Sequence, residues 1–186
     1  MRVARAASVA LTACLLAGCV TSAPPPPAFH AALNQDYRLD AGDRLRITVF
    51  EQESLTSIYA VDKAGYLSLP LIGSVPARGK TPDEVRAAVT AALRNGFLRD
   101  PDVSVQVEQY RPFFVMGEVT TGGQYSYVPG MTVQNAVAIA GGFSARAEKR
   151  TVDITRQVNG KVITGRVLLS DPVLPGDTIT IRERLF

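Results

Sequence analysis

The chain offers few residues that could catalyse a reaction or hold a metal ion. Its only histidine is His30, and its only cysteines are Cys14 and Cys19. No pair of Cys or His residues has the spacing of a metal site, and no nucleophile-elbow motif is present. Acidic residues such as Asp43 and Asp177 lie in turn sequences, where aspartate commonly has a structural role. The sequence therefore disfavours an enzyme and predicts neither a cofactor nor a metal site.

The tripeptide Gly79–Thr81 (Gly-Lys-Thr) is similar to the end of a phosphate-binding loop. That motif requires a glycine five positions before Gly79, and Ser74 occupies this position. Pro76 and Pro82 also interrupt the run of backbone amides that would contact a phosphate. We therefore interpret Thr81 as the N-cap of a helix.

The N-terminal region resembles a bacterial lipoprotein signal. Arg2 and Arg5 precede an apolar run at 6–17, which is shorter than the roughly 20 residues needed to span a bilayer. The run ends in small residues followed by Cys19. The resemblance implies a signal peptide at 1–18, cleavage before Cys19 and a lipid on the Cys19 thiol.

The predicted mature chain is nearly neutral. Two of the 20 basic residues lie in the signal, so 18 basic residues remain against 17 acidic ones. This balance argues against a nucleic-acid partner, which would require a strongly basic surface. A proline-rich stretch at 19–36, with four prolines at 24–27, is predicted to be an extended tether. The residue after Cys19 is Val20, not aspartate, which by the same resemblance favours the outer membrane.

Short strands and two helices are predicted from residue 37 onward. Alternating apolar residues predict strands at 45–49, 59–61, 66–69, 103–107, 113–116, 125–128, 152–156, 162–167 and 178–181. Thr81 and Glu84 form a capping box for a helix over Thr81–Asn95, and Thr132 caps a second, shorter helix. Asn159-Gly160 is the strongest hairpin signal. The pattern is that of an α+β protein.

The motifs of this region resemble those of the Wza-type polysaccharide biosynthesis/export proteins. In the first part, the matching segments are 37–45, 65–73, 79–81 and 100–103. The family commonly has Pro-Gly-Asp where this chain has Ala41-Gly42-Asp43. The second part resembles an SLBB domain, with matching segments at 117–119, 122–125, 131–132, 140–142 and 175–179. Together with the lipoprotein signal, the resemblance covers nearly the whole mature chain.

The resemblance implies an architecture and a function. It predicts a small mixed-sheet export domain at 37–111, followed by a β-grasp-like SLBB domain at 112–186. It implies a lipid-anchored ring, commonly of eight subunits, at the periplasmic face of the outer membrane. Such a ring conducts capsular polysaccharide or exopolysaccharide, and an inner-membrane polysaccharide co-polymerase is its partner. Longer members carry a C-terminal membrane helix. This sequence ends at Phe186, directly after its last predicted strand, so we expect the short form.

Charged residues that could face the lumen of such a ring lie mainly in the second part. The candidates are Arg146, Lys149, Arg150 and Arg156, together with Arg111 between the two parts. An ordinary solvated surface explains the same residues. Tyrosines such as Tyr110 and Tyr127 could stack on sugar rings, although packing explains them equally well. Two alternative functions remain open: a monomeric glycan- or ligand-binding periplasmic lipoprotein, and a periplasmic enzyme acting on surface glycans.

Overall fold

The computed structural model describes residues 35–158 and 160–184. The predicted signal peptide, Cys19 and nearly all of the predicted tether lie outside the described residues. Within the described residues the chain forms ten strands and two helices of more than one turn, which confirms the predicted α+β class.

The first half of the described chain is built around a three-stranded antiparallel sheet with a hairpin and a helix. Its elements are β1 (Arg44–Val49), β2 (Ser57–Ala60), β3 (Tyr66–Leu69), β4 (Gly73–Pro76), α1 (Pro82–Arg94) and β5 (Val103–Gln109). The sheet has the order β2-β1-β5, and β3 pairs separately with β4. A single 3-10 turn, Glu53–Leu55, follows β1. The strand β1 is therefore central in its sheet.

The helix α1 forms as its sequence predicts. The Thr81 side chain accepts a hydrogen bond from the amide of Glu84, and the Glu84 carboxylate accepts one from the amide of Thr81. These bonds satisfy two amides that a helix start leaves without partners. Val85, Val89 and Leu93 recur at helical spacing and are buried. Their burial fixes α1 against the sheet.

The second half forms a five-stranded sheet with one short helix. Its elements are β6 (Phe113–Gly117), β7 (Gly123–Tyr125), α2 (Val133–Ile139), β8 (Thr151–Val158), β9 (Lys161–Leu168) and β10 (Thr178–Ile181). The order is β7-β6-β10-β8-β9, with β10 parallel to β6 and antiparallel to β8. The strand β10, the last strand of the described residues, therefore lies at the centre of its sheet. The predicted hairpin is confirmed, since β8 and β9 pair up to Val158 and Lys161.

Three details differ from the sequence predictions. The strand β4 was not predicted, because Gly73 and Pro76 at its ends are turn-forming residues. The strand predicted at 125–128 is wrong: β7 ends at Tyr125, and the chain then turns toward α2. The strand predicted at 59–61 begins earlier, at Ser57, because it pairs with β1 from Arg44 to Ile47.

Two separate clusters of buried hydrophobic residues form the cores, one from residues before Arg111 along the chain and one from residues after it. The first contains Leu39, Leu45, Ile47, Val49, Leu55, Val61, Leu67, Leu69, Val75, Ala77, Val85, Val89, Leu93 and Val103. The second contains Phe113, Val115, Met131, Val133, Ala136, Val137, Ala140, Ala147, Val152, Ile154, Val167, Val173, Ile179 and Ile181. We call the two parts the first unit and the second unit. Neither α1 nor α2 is long and apolar enough to cross a membrane, and they are the longest helices of the described residues.

Candidate functional site at the junction of the two units

A tight turn ending in Gly-Asp precedes the central strand of each unit. In the first unit, the Asp43 carboxylate accepts a hydrogen bond from the amide of Asp40 at 2.8 Å. The amide of Asp43 donates in return to the carbonyl of Asp40 at 3.2 Å. Gly42 has a φ of 93°, a conformation that the third position of a type II turn requires and that glycine adopts without strain.

The turn of the second unit repeats this geometry. The Asp177 carboxylate accepts from the amide of Leu174 at 2.7 Å, and the amide of Asp177 donates to the Leu174 carbonyl at 3.1 Å. Gly176 has a φ of 87°. Both aspartates are fully buried, at 0% exposure. Because a buried carboxylate is costly without compensation, each requires a cationic partner.

In the second unit the partner is Arg156 on β8. Its Nε and Nη2 atoms donate to the two carboxylate oxygens of Asp177 at 2.8 and 2.7 Å. The Arg156 side chain is only 3% exposed. The guanidinium of this lumen candidate therefore lies in the interior, where it neutralises a buried carboxylate, and its charge is not exposed.

In the first unit the partner is Arg111, in the segment that connects the two units. The Arg111 amide donates to Asp43 Oδ1 at 2.8 Å, and its Nη1 donates to Asp43 Oδ2 at 3.2 Å. The Tyr37 hydroxyl donates to the same carboxylate at 2.6 Å and accepts from Arg111 Nη1 at 2.8 Å. Burial raises the pKa of Tyr37 well above its ordinary value. The tyrosine therefore acts here as a neutral hydrogen-bond donor.

An open groove of about 330 Å³ lies beside this network, between the two units. Tyr110 contacts Tyr37 edge-to-face, with ring centres 4.9 Å apart, and Tyr127 in the same manner at 5.4 Å. We call this open groove between the two units the junction groove. It is lined by Gln35, Asp36, Tyr37, Arg38, Tyr110, Arg111, Tyr127, Pro129, Arg156, Gln157, Val158, Leu174 and Pro175. Its wall thus combines aromatic rings with guanidinium and amide groups from both units.

The other predicted site residues lie outside the junction groove. Arg146 is 70% exposed and forms ion pairs with Glu118 at 3.3 Å and Glu183 at 3.2 Å. Lys149 and Arg150 are exposed in the same loop, which precedes β8. The structure brings these three cations into one segment of the surface. They are not brought together with Arg111 or with Arg156.

Sequence reasoning did not identify the network around Asp43. The signal that could have revealed it is the repetition of Gly-Asp before an apolar strand, at 42–45 and 176–179. The arginine partners could not be found in this way, because Arg111 is 68 residues from Asp43. No group of His, Cys, Asp and Glu residues able to hold a metal ion occurs in the described residues.

Two family models match the chain in tandem. The model for polysaccharide biosynthesis/export proteins matches residues 31–108, and the SLBB domain model matches residues 112–165. The chain therefore contains a polysaccharide biosynthesis/export domain followed by an SLBB domain, the domain pair that the Wza-type resemblance predicts. The resemblance stated from the sequence is thereby confirmed. The central strand β10 lies beyond the SLBB match, although it holds the second sheet together.

Curated relatives of the chain are named for polysaccharide production and export. It is 40% identical over 119 residues to the exopolysaccharide production protein ExoF of Rhizobium meliloti, covering 58% of this chain and 28% of that protein. It is 29% identical over 183 residues to the EPS I polysaccharide export outer membrane protein EpsA of Ralstonia solanacearum, covering 80% and 48%. It is 26% identical over 162 residues to the polysialic acid transport protein KpsD of Escherichia coli, covering 81% of this chain and 29% of that protein. The chain therefore spans less than half the length of these relatives.

Proposed function

We propose that this chain is a component of a capsular polysaccharide or exopolysaccharide export channel. The observation that carries the proposal is the tandem match to the export and SLBB models within one short chain. The names of the relatives support the same cargo class, since they refer to exopolysaccharide, EPS I polysaccharide and polysialic acid. The role proposed is transport, and no catalytic step is assigned to the chain.

The buried aspartates fit a structural role better than a catalytic one. Asp43 accepts hydrogen bonds from two amides, a tyrosine hydroxyl and a guanidinium. Asp177 accepts from one amide and from two nitrogens of Arg156. A general acid or base must exchange a proton with a substrate, whereas these carboxylates are occupied by the protein itself. This occupancy supports a non-enzymatic function.

The finer features of the proposal concern assembly and location. We propose a homo-oligomeric ring, of eight subunits by analogy with the family, that contacts an inner-membrane polysaccharide co-polymerase. A lipid on Cys19 would anchor the ring at the periplasmic face of the outer membrane, after removal of residues 1–18. Many lipid anchors in one ring would strengthen attachment through avidity. We retain 37–111 and 112–186 as the two domains, a division that the two separate cores support.

Arg146, Lys149 and Arg150 are the residues we propose for the lumen surface. All three are exposed, and they lie in one loop. Within the described residues, Arg146 is paired with Glu118 and Glu183. The unpaired charge of this loop would therefore come mainly from Lys149 and Arg150. A ring would repeat this charge in every subunit. The repeated charge offers weak contacts around the passage, which suits a polymer that must keep moving.

The decisive experiment is clean deletion of the gene, with complementation, followed by measurement of polysaccharide inside and outside the cell. The proposal expects loss of surface or secreted polymer that the wild-type chain restores. Unchanged secretion in the deletion strain would contradict it. Complementation with Cys19→Ala separates the anchor from the fold: we expect a soluble periplasmic chain with impaired export. Normal export by that variant would refute the need for the lipid.

The oligomeric state tests the ring directly. The lipidated chain, purified in mild detergent, is expected to form a closed ring when its mass is measured by native mass spectrometry and its outline by electron microscopy. A monomer under these conditions would contradict the ring. It would favour the alternative of a monomeric glycan-binding lipoprotein.

A further inference from the structure

The junction groove has the form of a small-molecule binding site. Its volume of about 330 Å³ is within the range in which protein pockets hold small ligands. Its walls come from the segment before β1, from the connection between the units and from the turn at 174–175. Because several chain segments converge on it, its shape is fixed by the tertiary structure of both units.

The aromatic wall of the groove is held rigidly. Tyr110 lies between Tyr37 and Tyr127, and each pair packs edge-to-face. The hydroxyl of Tyr37 is fixed by Asp43 and Arg111. Rigid tyrosines supply an apolar face with little loss of conformational entropy on binding. A sugar ring matches this wall, since its C–H face is apolar while its edge carries hydroxyl groups.

The cations of the groove are compensated by carboxylates of the same chain. Arg111 is paired with Asp43, and Arg156 with Asp177, both of which lie behind the groove wall. Arg38 lies 3.8 Å from Glu84. With each guanidinium matched in this way, the groove presents oriented N–H dipoles and little net positive charge. Such a surface hydrogen-bonds neutral hydroxyls and has no strong preference for a polyanion.

Three further polar side chains line the groove: the exposed carboxylate of Asp36, which accepts hydrogen bonds, and two amides. The amides of Gln35 and Gln157 line the groove, and both residues are exposed. An amide both donates and accepts hydrogen bonds, as does a sugar hydroxyl. We infer that the junction groove binds a short neutral pyranose segment, stacked on the tyrosines and hydrogen-bonded by the amides, by the exposed guanidinium of Arg38 and by the partly exposed guanidinium of Arg111. This inference rests on the proposed cargo class, and it assigns a binding site for it.

Ligand binding can be tested with the full chain carrying Cys19→Ser, labelled with ¹⁵N and titrated in NMR experiments. The probes are maltotetraose and cellotetraose, which are neutral, and tetragalacturonate, which carries the negative charge. We expect saturable shifts for a neutral probe at residues 35–38, 110–111, 127–129 and 156–158, with a dissociation constant of about 1–10 mM. At 0.15 M salt, tetragalacturonate is expected to bind no more than about threefold tighter than the neutral probes do.

Groove variants make the site assignment falsifiable. Gln157→Ala removes one exposed amide and is expected to weaken binding about fivefold without changing stability. Tyr110→Ala removes the central ring and is expected to weaken binding at least tenfold. Tyr66→Ala on β3, outside the groove, is the matched control and should bind as the unsubstituted chain does. The ¹⁵N spectrum of each variant reports whether it is folded.

Two outcomes would overturn the inference. One is the absence of saturable shifts for both neutral probes up to about 50 mM, far above the expected dissociation constant. The other is binding of tetragalacturonate that is more than about threefold tighter than binding of the neutral probes. The deletion experiment keeps this inference separate from the proposed export role. If the groove fails to bind sugar but deletion of the chain still abolishes export, only the groove inference fails.

Discussion

The two Gly-Asp turns have the same local structure but different arginine partners. Each aspartate closes a turn through the amide three residues earlier, and each follows a glycine of positive φ. Arg156 meets Asp177 from within the second unit and is 3% exposed. Arg111 meets Asp43 from the connection between the units and is 23% exposed. One turn therefore completes a core, whereas the other joins two units.

The similarity extends to the helix start beside each turn. The amide of Leu39 donates to the carbonyl of Lys80 at 2.9 Å, and the amide of Val173 donates to the carbonyl of Met131 at 3.0 Å. Lys80 and Met131 each precede a threonine that caps a helix with a capping box. The turn precedes its helix along the chain in the first unit and follows it in the second. The same contact between a Gly-Asp turn and a helix start therefore forms whether the turn precedes the helix in the sequence or follows it.

The largest effect expected from this comparison is that of Asp177→Ala. It leaves the Arg156 guanidinium buried without its carboxylate, so we expect a loss of about 3–5 kcal/mol in the free energy of unfolding, measured by urea denaturation. The control is Asp100→Ala, whose exposed ion pair with Arg94 should contribute less than about 1 kcal/mol. A loss below about 1 kcal/mol for Asp177→Ala would refute the distinction between the turns.

Asp43→Ala is expected to lower the free energy of unfolding by less than Asp177→Ala does, about 2–3 kcal/mol. The substitution leaves the Asp40 amide, the Arg111 amide and the Tyr37 hydroxyl without their acceptor. The guanidinium of Arg111 is partly exposed, so water can compensate for its lost partner. Urea denaturation of both alanine variants under the same conditions checks the order. If Asp43→Ala proves the more destabilising, the junction contributes more to stability than the interior pair does.

These differences show which features the sequence could reveal. Thr81 with Glu84 predicted the start of α1, because a capping box depends only on residues three positions apart. Asn159-Gly160 predicted the β8–β9 hairpin for the same local reason. The pairing of Asp43 with Arg111 depends on how the two units pack, and local patterns carry no information about it. The burial of Arg156 was not predicted, because its partner, Asp177, lies 21 residues away.

The glycines of the two turns offer a finer test. A Cβ built on Gly176 would lie 2.8 Å from Arg111 Nε, whereas one on Gly42 would lie 3.6 Å from Arg111 Cβ. The control is Gly130→Ala, which has a φ of 81° and nothing within 4 Å, so it isolates the backbone strain. We expect Gly130→Ala and Gly42→Ala each to lower the free energy of unfolding by about 1 kcal/mol. Gly176→Ala should lower it by up to about 1 kcal/mol more.

The measurement for these glycine variants is again the free energy of unfolding in urea, supplemented by the ¹⁵N shift of the Arg111 Nε group. Displacement of the guanidinium should change that shift in Gly176→Ala and leave it unchanged in Gly130→Ala. Equal stability and equal shifts in all three variants would show that Arg111 moves freely, contrary to its fixed position in the junction.

The smallest expected effect concerns acid. Asp40 begins the first turn, where the second turn has Leu174, so only the first turn carries a titrating group at this position. Partial burial tends to raise the pKa of Asp40, but the Ala41 amide and the Arg78 guanidinium outweigh it and hold this pKa below its ordinary value. The folded state thus binds fewer protons than the unfolded state. Asp40 therefore contributes stability above its unfolded pKa of about 4, and this contribution disappears as the pH falls through the lowered pKa.

Asp40→Asn should therefore flatten the dependence of unfolding free energy on pH below about pH 4, measured by urea denaturation at each pH. The amide oxygen of asparagine can still accept from Ala41, which limits the change in the turn itself. Asp83→Asn, in an exposed ion pair at the start of α1, is the matched control for removing one surface carboxylate. If the Asp40→Asn and unsubstituted curves run parallel in this range, Asp40 does not make the first turn acid-sensitive, and the two turns differ only in their arginine partners.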